Sequence, residues 1–275
     1  MFLTRLISGI LLLAAAFFLV NSGGVPLLCS SILISLIGMY EFYRVLKIEK
    51  KPISYIGYIS ASIYYLLLYL KSYKYISKYI SEEHFSFIII AALIILMSVY
   101  VLTFPKYKTE EICGVFFGIF YVAVLFSFLY STRAAKDGKY LVWLIFLSSW
   151  GSDTCAYVTG VLIGRHKIAP KLSPKKSAEG CLGGICGAAL LGFIYASLFS
   201  KNIYETQDPR FICAAACAIG AVISQIGDFA ASAIKRNHDI KDYGNLIPGH
   251  GGILDRFDSM LFTAPAIYFA LYFLS

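Results

Sequence analysis

Apolar residues run along this chain in long blocks, and polar residues are confined to the short segments between them. Blocks of roughly 20 residues, enough for an α-helix to cross the hydrocarbon core of a bilayer, fall at about 2–21, 25–43, 53–70, 85–104, 111–131, 140–163, 181–200, 209–231 and 258–275, the third and the last being short. The pattern predicts an all-α, polytopic transmembrane protein of about nine spans with no soluble domain. Arg5 ahead of the first block would also suit a signal peptide, but VNSGGVP lacks a small-x-small cleavage pattern, so 2–21 is read as a retained helix.

The polar positions divide the chain unevenly. The first five blocks, to about residue 131, hold almost no ionisable residue and read as a scaffold spanning 1–131. From residue 150 glycines, charges and short polar patches enter the helices. The segment 132–275, of about four spans with loops at 164–180 and 232–257, is therefore read as the catalytic half. The run GCLGGICG (180–187) places Gly180 and Gly184, and Gly183 and Gly187, four residues apart, which reads first as close helix packing and only second as a phosphate-binding turn.

Composition agrees with a membrane location: 59% of the 275 residues are hydrophobic and 15% charged, against about 25% charged in soluble domains. The net charge of +8 lies largely beside the expected bilayer, and without an extramembrane domain it does not indicate nucleic-acid binding. With the N-terminus inside, 16 Lys and Arg residues lie on the cytoplasmic side and 8 on the other, which predicts N-in, C-out and both polar loops in the cytoplasm. The seven cysteines form no CxxC and are expected to be buried, reduced, small apolar residues.

A charged side chain at bilayer depth costs about 3 kcal/mol on insertion scales, so ionisable residues within apolar runs need a partner, a wet cavity or an ion. Three segments carry them. In QIGDFAASAIKR, Asp228, Ser232 and Lys235 share one helix face with Arg236 beside them, a stripe that fits either metal and phosphate or an ion pair at the interface. In HGGILDRFD, His250 precedes two glycines, and Asp255, Arg256 and Asp258 follow at the mouth of the last span. Asp255 and Asp258 suit a hard cation such as Mg²⁺, or an N-cap and a favourable charge at a helix start, and both readings can hold together. In the third segment, Asp153 lies within the sixth block, where it joins a metal cluster or pairs with a cation, and Ser173-Pro174-Lys175-Lys176 is a turn with adjacent ammonium groups able to grip a triphosphate.

The stretch SAIKRNHDIKDYGNLIPGHGGILDRFD, 232–258, resembles the signature of the phosphatidate cytidylyltransferases, also called CDP-diacylglycerol synthases. That signature runs Ser, Lys-Arg, four residues, Lys-Asp, and later His-Gly-Gly-x-x-Asp-Arg-x-Asp, and every fixed position is filled here. Upstream, DTCAYVTG and SPKKSAEG are similar to further family segments, in the expected order. One departure is Ala231, where the family usually has an acid, which leaves more weight on Asp228.

The resemblance implies an enzyme that joins CTP to phosphatidate, giving CDP-diacylglycerol and pyrophosphate for phospholipid synthesis. It implies Mg²⁺ with a second cation such as K⁺ beside it, and a homodimer. Carried over, Asp228, Ser232 and Asp255 hold the metal, with Asp258 and Asp153 as further candidates. Lys175 and Lys176, with Ser173, Lys241 and Asp242, bind substrate, while Lys235, Arg236 and Arg256 neutralise the lipid phosphate or the transition state, and His250 is a candidate base in a reaction that does not require one. The absence of a transit segment suggests a bacterial inner membrane with the active site on its cytoplasmic face. Two rivals are a CTP-dependent enzyme acting on another lipid and an ion-coupled transporter; the charge clustered toward one face rather than the midplane disfavours the transporter.

Overall fold

A computed structural model describes residues 2–203 and 208–274, and among these it is helical between short loops. The principal helices are α1 (Phe2–Ser22), α2 (Gly24–Val45), α3 (Pro52–Lys71), α4 (Glu82–Leu102), α5 (Thr109–Ala134), α6 (143–163), α7 (Ala178–Phe199), α8 (Pro209–Asn237) and α9 (Leu254–Leu274). Each expected apolar block lies on one of them. Seven are long and apolar enough to cross a membrane, and α1 adds a shorter apolar stretch, Leu6–Ser22. Helix α6 is assembled from Trp143–Phe146, a π-helical turn at Leu147–Gly151 and Ser152–Ile163. A second π-helical stretch, Ile119–Val124, interrupts α5. The side chain of Arg5 lies outside the described residues.

The two chemically rich loops are shorter than the polarity of the sequence suggests. Helix α8 runs on to Asn237, so Ser232, Lys235 and Arg236 are helical, with the two cations in the last turn, where the helix dipole favours them. Helices α7 and α9 begin at Ala178 and Leu254, which leaves 164–177 and 238–253 as the loops.

By internal packing the chain forms two compact units, 1–127 with 242–256, and 128–241 with 257–275. In the first, Tyr43 and Tyr65 are among the largest fully buried side chains. The Tyr43 hydroxyl donates to the Val115 carbonyl at 2.8 Å, and its ring fills the space left at Gly57 and Gly118. Tyr65 donates to the Ala123 carbonyl at 3.2 Å, within the π-helical stretch of α5, and shares a hydrogen bond with Ser35. The segment 242–256 belongs with these N-terminal helices rather than with the rest of 132–275.

In the second unit, α6 and α7 approach through glycine. A Cβ at Gly183 would strike the Thr159 side chain, one at Gly184 would lie 2.9 Å from the Ser152 carbonyl, and one at Gly187 would lie 2.5 Å from the Cys155 sulfur. The glycine run is therefore a packing surface, buried at Gly180 and Gly184. Because the obstacle at Gly184 is backbone, Gly184→Ala is expected to cost about 1–3 kcal/mol. A lower melting temperature in detergent would register this, and an unchanged one would mean that the helices separate without penalty.

Cysteine burial departs from expectation. Cys181, Cys213 and Cys217 are buried, but Cys29, Cys113 and Cys186 are exposed. All three exposed residues lie on long apolar helices, on faces that no other part of the described chain covers.

Candidate active site

In the second unit the loop 164–177 folds back on itself and brings the SPKK turn toward α8. Lys167 and Ser177 form an antiparallel bridge, and Ala178 N–H donates to the His166 carbonyl at 2.8 Å. Glu179 in the first turn of α7 accepts from the backbone N–H groups of Arg165 and His166 and from His166 Nδ1, the last at 2.5 Å, fastening the start of the loop. Ser177 caps α7, its Oγ accepting from Gly180 N–H at 3.2 Å. With both ends held, Lys176 reaches α8, where its ammonium pairs with Asp228 and lies 4.8 Å from the centre of the Phe229 ring. Both partners are about three-quarters buried, at 26% and 27% side-chain exposure. Two segments separated by fifty residues of sequence thus meet in one ion pair.

Lower on the same face of α8, Lys235 lies 3.6 Å from Asp258 of α9. This pair is more deeply buried, and Asp258 also accepts from Ser259 N–H at 2.8 Å. Ser232 is half-buried between Asp228 and Lys235. Ser259 itself bonds Ser149 of the π-helical turn at 2.8 Å, and Gln225 Nε2 donates to the Cys181 carbonyl at 2.9 Å. The stripe predicted on α8 therefore exists, and its charges find partners on α7's leading loop and on α9. Ser173 is half-buried in the turn, whereas Lys175, Asp153, Arg236 and Lys241 are exposed.

In the first unit the segment around His250 is organised by backbone. Pro248 and Gly249, the latter at φ +77°, occupy the centre of a tight turn that His250 N–H closes on the Ile247 carbonyl at 2.9 Å. Gly251 follows at φ +87°, a conformation that only glycine adopts without strain. The turn delivers Gly252 to Asp255, whose Oδ2 accepts from the N–H groups of Tyr243 (2.7 Å), Gly252 (2.9 Å) and Gly244 (3.4 Å). Asp255 is buried, so one of its oxygens gathers both ends of the loop. The His250 ring bonds Ser8 of α1 at 2.7 Å, and Arg256 is half-buried with its Nε unpaired. Asp242 is exposed.

Sequence reasoning missed four participants: Glu41, Arg44, Ser8 and Glu179. Glu41 had a legible signal, an acid inside the apolar block 25–43, where an ionisable group calls for a partner. The residue is 3% exposed, and its carboxylate accepts from Ile253 N–H at 3.1 Å and Leu254 N–H at 2.8 Å. One turn on, Arg44 donates to the Tyr243 carbonyl. Ser8 gave no signal, since a serine in an apolar helix has no distinctive spacing.

The donor chemistry of α8 fits a hard cation. Asp228 and Ser232 offer a carboxylate and a hydroxyl one turn apart, and a cationic group, the Lys176 ammonium, already rests on the carboxylate. Among the described residues no three His, Cys, Asp or Glu side chains form a metal-binding group. A Mg²⁺ ion there would draw the rest of its shell from water and substrate phosphate, the usual arrangement for that ion.

Comparison with known proteins gives this geometry a family. A model described as "Cytidylyltransferase family" matches residues 3–274. The phosphatidate cytidylyltransferase of Bacillus subtilis (strain 168) is 32% identical over 273 residues, covering 97% of this chain and 96% of the relative. That of Staphylococcus haemolyticus (strain JCSC1435) is 32% identical over 247 residues, 89% of each. That of Staphylococcus aureus (strain COL) is 35% identical over 181 residues, covering 65% and 66%. A family match across residues 3–274, joined to a relative 32% identical over almost the full length of both chains, places the chain in the cytidylyltransferase family.

Proposed function

We propose that this protein transfers the cytidylyl group of CTP to phosphatidate, giving CDP-diacylglycerol and pyrophosphate. The observation that carries the reading is the near end-to-end similarity to a protein named phosphatidate cytidylyltransferase, in a chain whose Lys176 and Asp228 come together in one largely buried pair. In the reaction a phosphate oxygen of the lipid forms a bond to the α-phosphorus of CTP. The bond from that phosphorus to the bridging oxygen breaks, and pyrophosphate leaves with its electron pair. The attacking phosphate is already an anion at neutral pH, so no side chain need take a proton from it. The obstacle is charge repulsion between two polyanions, and a site rich in cations answers it.

In this reading Lys175 and Lys176, on the turn begun by Ser173, bind the β- and γ-phosphates. Lys176 exchanges its bond with Asp228 for phosphate as the nucleotide enters. Lys235, Arg236 and Arg256 offset the charge of the phosphatidate headgroup, with Lys241 and Asp242 as further substrate contacts. Asp228 and Ser232 would hold Mg²⁺, with a second cation such as K⁺ beside it, while Asp255, Asp258 and Asp153 are the remaining candidate donors. Bound there, the divalent ion would neutralise phosphate charge and assist the leaving pyrophosphate. His250 orients the turn that carries Asp255. The bacterial relatives and the excess of Lys and Arg in the cytoplasmic segments support a plasma-membrane protein working on cytoplasmic CTP, and we propose a homodimer as its functional form.

The test is direct. Purified protein in detergent, given radiolabelled CTP, phosphatidic acid and Mg²⁺, should form labelled CDP-lipid and release pyrophosphate, and chelation of Mg²⁺ should stop it. Release of CDP instead would indicate phosphoryl transfer to a lipid alcohol and overturn the reading. Lys175→Ala should raise the KM for CTP more than the KM for phosphatidate. Equal increases would assign Lys175 to general electrostatics.

A further inference from the structure

The loop 242–253 is gripped from one side by two residues of α2. Both oxygens of the buried Glu41 carboxylate are used, Oε1 by Ile253 N–H and Oε2 by Leu254 N–H, at the very start of α9. These N–H groups precede Asp255 by two and one positions, and neither is otherwise paired within a helix, since the opening amides of a helix lack an intrahelical acceptor. At the other end of the loop Arg44, three residues after Glu41 and on the same face of α2, donates to the Tyr243 carbonyl at 2.5 Å. The N–H of that same Tyr243 donates to Asp255 Oδ2 at 2.7 Å.

The glycines of the loop are shaped to this carboxylate. A Cβ on Gly252 would collide with both Glu41 oxygens, and one on Gly244 with Oε1. Gly252 N–H, in turn, donates to Asp255 Oδ2. Glu41 and Asp255 thus hold opposite sides of one backbone segment, and the position of Asp255 follows from where α2 places its acid. No apolar side chain at 41 could do this, because a buried segment with its N–H groups turned inward requires an acceptor there.

We propose that Glu41, assisted by Arg44, is a positioning residue that sets Asp255 through the backbone of residues 243–254. Helix α2 then belongs to the reacting centre's supporting structure rather than to an inert scaffold. The proposal rests on the cytidylyl-transfer reading with Asp255 in the reacting centre. Residues that orient a ligand from behind usually change metal affinity or activity by roughly 10–100-fold when lost.

Glu41→Gln is the informative substitution. Glutamine keeps one acceptor oxygen but turns an N–H₂ group toward a backbone N–H, so one of the two bonds is replaced by a donor facing a donor. In purified full-length protein, Glu41→Gln should lower kcat by roughly 10–100-fold and raise the Mg²⁺ concentration needed for half-maximal rate, with the KM for CTP little changed. Hydrogen–deuterium exchange, measured without substrate or metal, should show faster exchange confined to peptides covering 243–254. Should Glu41→Gln not fold, Arg44→Gln serves instead. Arg44 is exposed, so its loss leaves no buried charge, and the same split between kcat and KM is expected at smaller size. The proposal is overturned if both folded variants keep wild-type kcat and Mg²⁺ dependence, or if kcat falls only in step with melting temperature while 243–254 exchanges as in wild type. An inactive wild type would instead sink the cytidylyl-transfer reading itself, so the two failures are distinguishable.

Discussion

Asp255→Asn is expected to lower turnover by roughly 10²–10³-fold while leaving a folded protein, the loss that removing a few kcal/mol of charge stabilisation at the reacting phosphates entails. Asparagine is nearly the same size, and its carbonyl oxygen can still accept from Tyr243 and Gly252, whose N–H groups lie 2.7 and 2.9 Å from the carboxylate. The backbone bonds that shape the loop therefore survive while the charge is lost. Asp255→Ala supplies the contrast. It strands backbone donors in a buried place, at about 1–3 kcal/mol for a donor left without a partner, so it should lower the melting temperature as well as the rate. Rates of CDP-lipid formation and melting curves on both variants separate the two roles. If Asp255→Asn retained near-normal turnover, Asp255 would be a loop-closing residue alone.

The second large effect is expected at Asp228 and Lys176. Their ion pair is partly open to solvent, where such pairs contribute about 1 kcal/mol or less to stability, so neither substitution should unfold the protein. Asp228→Asn should reduce turnover by roughly 10²-fold or more and shift the Mg²⁺ requirement upward. Lys176→Ala should leave the Mg²⁺ requirement nearly alone and raise the KM for CTP. A pair with only a structural purpose would behave otherwise: each single substitution would lower the melting temperature by the same amount, and the double Asn/Ala variant would lose little beyond either one. A double-mutant cycle scored on Mg²⁺ dependence, CTP dependence and melting temperature distinguishes the cases.

Much of this was readable from the residues, because the physics involved is local. Apolar blocks of helix-spanning length land on helices, since a backbone in lipid must satisfy its own hydrogen bonds. The face shared by Asp228, Ser232 and Lys235 follows from helical periodicity, and the glycines at 183, 184 and 187 read as packing for the same reason. What was not readable was which distant groups those residues meet. Asp228 takes Lys176 and Lys235 takes Asp258, and no spacing rule links those positions. Glu41 was passed over because one acid near the end of an apolar block looks like an interfacial residue. Only folding shows that its oxygens receive the amides of Ile253 and Leu254, more than two hundred residues away. The short π-helical turn at Leu147–Gly151, which carries Ser149 to Ser259, likewise has no signature in composition.

The partition of the signature stretch has a consequence for anyone who would cut or recombine this enzyme. Residues 242–256 pack as part of the N-terminal unit, although they lie far along the chain. A truncated protein built from the polar half alone would retain each motif letter yet lose the wall against which its central glycines rest. Chimaeras made by transplanting the leading helices from another member should likewise require that the donor's second helix offers a carboxylate where Glu41 stands and a donor where Arg44 stands.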